Sequence, residues 1–263
     1  MSRRTIAVAL LALGVFACSR VPITNRKQTN LMPEAEMIGM SATAYNDFLS
    51  QNQVITSTNQ ASMVKKVGEK IAAAATDFLT KAGKQNRVAG FNWQFNLVND
   101  NSVNAWCMPG GMVVFYTGIM PICETEAGLA VVMGHEVAHA IARHGNERMS
   151  QGLMANFGFA VLGTAMGENP SLTKDIFMQS VGIGTQLGML SFSRKHETEA
   201  DKIGLVFMAM AGYDPQEAPK FWERMSSGGQ EPPEFLSTHP SHETRIKDIN
   251  AFMPEALKYY KPS

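Results

Sequence analysis

The sequence predicts an α+β chain, mostly helical, with a small antiparallel sheet ahead of one buried helix. Three observations carry this. Apolar residues recur at helical spacing in the N-terminal third and again after residue 200. Two short segments between residues 91 and 116 read as strands. Across residues 127–142 every position is Ala, Gly, Val, Leu, Met or Ile except His135, Glu136 and His139. A helix that is apolar nearly all round is a buried helix.

Residues 33–50 and 60–82 have helical composition, and Val64, Val67, Ile71, Ala74, Phe78 and Leu79 form a helical stripe in the second. Residues 91–97 alternate apolar and polar, as a half-buried strand does. Asn99-Asp100-Asn101-Ser102 is a turn, and Pro109-Gly110-Gly111 turns the chain into a second strand at 112–116. Residues 150–192 are rich in Gly, Met, Ala and Phe, and Asn169-Pro170-Ser171 divides them into two helices. Neither apolar run there reaches the length of a membrane span. These two helices are either core helices packed through glycine or a mobile lid. A further apolar helix follows residue 200 and stops at Gly212, before Asp214-Pro215.

The chemistry concentrates in two of these helices. Residues 135–139 spell H-E-V-A-H. Residues four apart share a helix face, so His135 and His139 reach one metal ion, and Glu136 stands beside it without being a ligand. Burying three ionisable groups in an apolar helix is costly without compensation, which a zinc ion supplies. Catalytic zinc takes three protein ligands and keeps a position for water. Glu197 is the candidate third ligand. Asp201, four residues on, shares its face and is placed to hydrogen-bond a ligating histidine. Glu199 lies about 200° round from Glu197 and is the poorer candidate. His144 stands about 140° from His139 on one continuous helix, so it is not expected to ligate. His196 is expected to point elsewhere, and His242 to lie on the surface.

The chain resembles the HtpX-type gluzincin zinc metalloproteases. The matching segments are Asn104-Ala105, Pro109-Gly110-Gly111, Tyr116-Thr117-Gly118, H-E-V-A-H-A-I-A-R-H at 135–144 and S-R-K-H-E-T-E-A-D at 193–201. To these add Ala211-Gly212-Tyr213-Asp214-Pro215, Phe221-Trp222-Glu223-Arg224-Met225 and Ser237-Thr238-His239-Pro240. Within that family the likeness is to LoiP-like bacterial lipoprotein proteases and their mitochondrial relatives. No repeat array follows residue 215, so the helical-repeat extension of BepA-type relatives is not matched. The resemblance implies a zincin-like domain with one zinc ion per chain on His135, His139 and Glu197, and Glu136 as base. It places His239 near the zinc, either stabilising the oxyanion or filling the fourth zinc position and holding the enzyme latent. Arg245 is placed to face the site. It implies a sheet edge that receives substrate backbone, here assigned to residues 104–107.

The N-terminus reads as a targeting segment. Arg3 and Arg4 precede an apolar run at 6–17 that is too short to span a bilayer. Val15-Phe16-Ala17-Cys18 resembles a lipobox, although Phe16 is bulky for one. The expected division is a lipoprotein signal peptide at 1–17, a lipid-attached tether at 18–36 and a metalloprotease domain at 37–263. Cys18 would carry the lipid, and Ser19 by resemblance sorts the protein to the outer membrane of a bacterial envelope, facing the periplasm. Net charge is zero, and loss of Arg3 and Arg4 leaves 21 basic against 23 acidic residues, so no basic block points to nucleic acid. With Cys18 lipidated, Cys107 and Cys123 remain as an even pair in an oxidising compartment. A bridge is expected there, stabilising by about 3 kcal/mol; the alternative is two buried free thiols.

The expected activity is hydrolysis of peptide bonds in misfolded or unassembled envelope proteins, with membrane attachment through the lipid and possible association with outer-membrane assembly machinery. The alternative is a lipoprotein chaperone for outer-membrane proteins with a latent zinc site.

Overall fold

A computed structural model describes residues 18–157, 170–181, 192–227, 239 and 244–262. The N-terminal segment 1–17, His242 and most of the Gly/Met-rich stretch lie outside these. The described structure begins with a hairpin, β1 (Cys18–Arg20) against β2 (Lys27–Thr29), antiparallel, with Cys18 opposite Thr29. Helices α1 (Glu34–Gln51) and α2 (Asn59–Lys81) follow, with the short strand β3 (Val54–Ile55) between them. Thr58 caps α2 by accepting a hydrogen bond from the Ala61 N–H at 3.1 Å. The buried face of α2, from Val64 to Leu79, contains the stripe read from the sequence except Phe78, which is only partly buried.

Strands β4 (Gln94–Val98), β5 (Ala105–Met108) and β6 (Met112–Tyr116) join β3 in one sheet of order β3-β4-β6-β5. The sheet is mixed rather than antiparallel, because β6 inserts between β4 and β5 and runs parallel to β4. The β5–β6 hairpin closes through Gly110 and Gly111, whose φ values of +97° and +84° suit glycine. Both strands of that hairpin are buried throughout. Trp106 and Tyr116 pack against Tyr45 and Phe48 of α1 on one face. Cys107, Val113 and Phe115 join the main core on the other. A sheet covered on both faces carries continuous apolar runs.

Helices α3 (Met120–Cys123), α4 (Glu126–Ala142), α5 (His144–Phe157), α6 (Pro170–Ser180), α7 (Arg194–Met210), α8 (Glu217–Ser227) and α9 (Arg245–Ala256) complete the described structure. Helix α4 starts at Thr125, whose side chain accepts from the Gly128 N–H, and it is buried from Gly128 to Ala142. Its main partner is α7. A Cβ at Gly134 would lie 2.8 Å from the Gly204 carbonyl oxygen, and a Cβ at Gly204 would lie 2.8 Å from the Gly134 carbonyl carbon. Only glycine at both positions lets the backbones approach so closely. Helices α1, α5 and α6 enclose a smaller, Met-rich core around Met37, Met149 and Phe177. Among the described residues no helix is long and apolar enough to cross a membrane.

Two expectations change here. Residues 18–29 do not run as a free tether: Val21 is buried in the main core and the Gln28 side chain donates to the Ala142 carbonyl at 2.8 Å. Cys107 and Cys123 are free, buried thiols, not a disulfide. Cys107 lies on β5, within the electrostatic reach of Glu136, whereas Cys123 ends α3 near Arg224. Burial raises both, Cys123 to about 12, so neither is a ready thiolate.

Gly204→Ala places a methyl group against backbone that has no side chain to move. It should destabilise the protein by about 1–3 kcal/mol and lower zinc occupancy, read by thermal unfolding and metal analysis. An unchanged melting temperature would contradict the close crossing.

Candidate metal centre

Helix α4 supplies His135, Glu136 and His139, and α7 supplies Glu197 and Asp201. Helix α7 is capped by Ser193, whose hydroxyl accepts from the His196 N–H, so Glu197 falls in its first turn. The Gly134–Gly204 contact brings those two faces together. His239, from the connection between α8 and α9, completes the group. One donor atom each from His135, His139, Glu197 and His239 lie within 4.8 Å of one another, and all four residues are buried.

The spacing suits a tetrahedral ion. His135 Nε2 is 3.1 Å from His139 Nε2 and 3.3 Å from His239 Nδ1. Glu197 Oε2 is 3.4 Å from His135 Nε2, and Oε1 is 3.4 Å from His139 Nε2 and 3.2 Å from His239 Nδ1. Donors bound to zinc at tetrahedral geometry stand about 3.3–3.5 Å apart. Among the described residues Glu197 Oε2 and Glu136 Oε1 are buried with no hydrogen-bond partner, the nearest charge to Glu197 Oε2 outside the group being Arg245 Nη1 at 3.4 Å. Such groups are costly in the interior unless a cation or solvent meets them. The donor set, nitrogen and carboxylate oxygen, is one that zinc takes.

The surroundings orient the donor group. His135 Nδ1 lies 2.9 Å from Asp201 Oδ1, which also accepts from Arg245 Nη2 at 2.8 Å. The Arg245 guanidinium sits 3.4 Å from the centre of the Trp222 ring, a cation–π contact in a buried place. Burial alone would lower His135, but Asp201 and Glu197 outweigh it and lift it to about 9. Burial would raise Glu197, but His239 and the two motif histidines overcome this and hold it well below the usual carboxylate range. Burial raises Glu136 despite His239 and His135 nearby. Glu136 Oε1 is 3.5 Å from His239 Nε2, so it faces the group without joining the donor set.

The residues singled out in the sequence thus converge. Glu199 turns away, as its angle on the helix requires, and bonds His144 instead. His144 is outside the donor set, yet its Nδ1 lies 2.9 Å from His139 Nδ1. The angular argument placed it too far away because α4 ends at Arg143 in the left-handed region (φ +60°), and His144 opens a new helix. His196 stacks on His144 at 4.5 Å and lies 3.3 Å from Glu147. Phe192, whose ring is 4.1 Å from that of His139, carried no sequence signal as part of the site. Thr24 and Arg26 were missed as well, because they lie in a polar stretch far from any motif.

Residues 59–253 match the model of Peptidase family M48. The chain belongs to Peptidase family M48. Members of this family are zinc metalloproteases, in keeping with the donor set described above. The mitochondrial metalloendopeptidase OMA1 of Schizosaccharomyces pombe is 33% identical over 242 residues, covering 90% of this chain and 66% of that protein. The Arabidopsis thaliana protein of the same name is 37% identical over 182 residues, covering 67% of this chain and 35% of that one. The beta-barrel assembly-enhancing protease of Escherichia coli is 32% identical over 167 residues, covering 59% of this chain and 33% of that protein. The chain therefore spans between a third and two thirds of the length of these M48 relatives.

These likenesses overturn the placement in the bacterial outer membrane. The mitochondrial metalloendopeptidases match this chain more strongly than the bacterial beta-barrel assembly-enhancing proteases do. The expectation rested on a short basic-then-apolar segment and one residue after Cys18. Such segments are common to several targeting routes and fix a compartment poorly.

Replacing Asp201 with Asn removes the charge behind His135 and leaves the four donors. Zinc should still bind one to one, but about 10–100-fold more weakly, whereas Glu197→Gln should lose stoichiometric binding. Chelator competition checks both, and an Asp201→Asn affinity equal to wild type would contradict the orienting role.

Proposed function

We propose that this chain is a zinc metalloendopeptidase that cuts extended segments of unfolded or unassembled proteins and is held latent by His239. The observation that supports it most is the grouping of the His135, His139, Glu197 and His239 donors beside Glu136. When bound, zinc supplies Lewis acidity, polarising the scissile carbonyl and acidifying water. His135, His139 and Glu197 would hold it. Glu136, raised by burial, is suited to take a proton from the attacking water and deliver it to the leaving amine. Asp201 would fix the His135 tautomer, so that Nε2 turns its lone pair toward the donor group.

Among the described residues strand β5 is an edge of the four-stranded sheet, and its Cys107 lies within the electrostatic reach of Glu136. An extended peptide adding to this edge bonds through its backbone, a mode that selects exposed chain over particular side chains. Folded proteins offer few such segments, which is why unfolded or unassembled substrates are proposed. His239 supports the latency reading. Its Nδ1 lies within the donor group and its Nε2 faces Glu136, so it occupies the space the attacking water needs. Activity then requires His239 to withdraw.

The test is cleavage of an unfolded model protein by zinc-loaded protein. Glu136→Gln should keep zinc and lose about 10²–10⁴-fold in rate. Cleavage that survives this change sinks the assignment of the base. His239→Ala should retain one zinc and cleave faster. If the closed arrangement is favoured by about 1.4 kcal/mol, the gain is about tenfold. A slower His239→Ala enzyme would instead give His239 a role in stabilising the transition state.

A further inference from the structure

The second ring nitrogen of His139 has a partner different in kind from that of His135. His135 Nδ1 meets a carboxylate directly, but His139 Nδ1 meets the imidazole of His144 at 2.9 Å. His144 Nε2 in turn meets Glu199 Oε2 at 3.0 Å. With His139 Nε2 in the donor group, one proton assignment satisfies the chain. His139 Nδ1–H donates to His144 Nδ1, and His144 Nε2–H donates to Glu199.

Glu199 is held from the N-terminal hairpin. Arg26 Nε donates to Glu199 Oε2 at 2.7 Å, and the Thr24 hydroxyl donates to Oε1. Arg26 also donates to both Glu147 oxygens, at 2.8 and 2.7 Å. The turn that presents these side chains is strained: Ile23 and Asn25, on either side of Thr24, have φ values of +66° and +54°. Left-handed backbone at a β-branched residue is costly and persists only where surrounding contacts enforce it. Those contacts include Gln28 on the Ala142 carbonyl, and Arg87, which donates to Gln28 Oε1 at 3.0 Å and to the Arg20 carbonyl at 2.6 Å.

We propose that the 18–29 hairpin is a working part of the metal centre, with Thr24 and Arg26 acting through Glu199 and His144 to fix the tautomer and orientation of His139. His144, Glu199, Arg26 and Thr24 are positioning residues for the metal ligand. This rests on the zinc-site reading above. It makes zinc affinity depend on a segment more than 100 residues from the ligands in sequence, through the Thr24 and Arg26 side chains that segment presents to Glu199.

The experiment compares zinc affinity of the full chain by chelator competition for wild type, Arg26→Ala, His144→Leu, His144→Asn and Arg20→Ala. The Arg20 side chain donates to the Asn25 carbonyl within the same hairpin and lies outside the relay, so Arg20→Ala controls for general loosening. Arg26→Ala and His144→Leu should weaken zinc by about 10–100-fold, and Arg20→Ala should not. His144→Asn keeps an acceptor oxygen near the position of Nδ1 and should recover most of the loss. At saturating zinc, NMR of 15N-histidine protein should show an exchange-protected His139 Nδ1 proton in wild type and His144→Asn, and lose it in His144→Leu.

Wild-type affinity in His144→Leu would overturn the proposal. So would equal losses in Arg20→Ala and Arg26→Ala, or a loss in His144→Leu with the His139 proton still protected, because each describes a purely structural network. A wild type that binds no zinc would overturn the metal-site reading itself, and this proposal with it.

Discussion

The backbone contact between Gly134 and Gly204 is the constraint on which the centre depends. Helices with side chains at their crossing sit about 8–10 Å apart; these two meet with nothing but hydrogen between the chains. His135 follows one glycine directly, and Asp201 precedes the other by three residues, so the approach that suits the core also sets the reach from His135 to Asp201 and Glu197. Packing and chemistry are therefore one interaction. A wider crossing would leave the imidazoles and Glu197 buried and beyond bonding distance, the costliest arrangement for such groups.

Charge compensation then comes from both ends of the chain. Behind His135 stand Asp201 and Arg245, the latter at the start of the last described α-helix. Behind His139 stand His144, Glu199 and Arg26, the latter from the first hairpin. Each motif histidine is backed by a carboxylate that is itself held by an arginine. Arginine suits this because its fork meets a carboxylate through several hydrogen bonds and stays charged when buried. The helix that carries the motif is also finished from outside. Arg87 and Gln28 donate to the Ile141 and Ala142 carbonyls, which no further turn of α4 can satisfy.

Sequence reading reaches as far as local spacing reaches. His135, Glu136 and His139 are fixed relative to one another by one helix, and Glu197 and Asp201 by another, so their faces were legible from residue numbers. The relation between the two helices was legible only through the family resemblance. What stayed hidden depends on breaks in regularity or on distant partners. His144 was set aside by assuming one continuous helix, and the left-handed Arg143 undid that assumption. The central parallel pair of the sheet depends on β6 inserting between β4 and β5, which alternation of side chains does not encode. An even pair of cysteines suggested a bridge, but the fold leaves Cys107 on β5 and Cys123 at the end of α3 as separate buried thiols. Arg26 looked like one charge in a polar stretch because its carboxylate partners lie more than 100 residues away.

The division of the donors between elements bears on how such a centre opens. Three of them, His135, His139 and Glu197, sit on the two helices locked at the glycine crossing. Moving any of them means parting a densely packed core, which would cost several kcal/mol on the scale of single-residue repacking. His239 alone comes from outside those helices. In the proposed latency its departure would leave the crossing, the Asp201–Arg245 pair and the Glu199 relay in place, because none of them includes His239. Under the proposed latency, that arrangement would keep the three helix donors assembled while His239 gives way to the reacting groups.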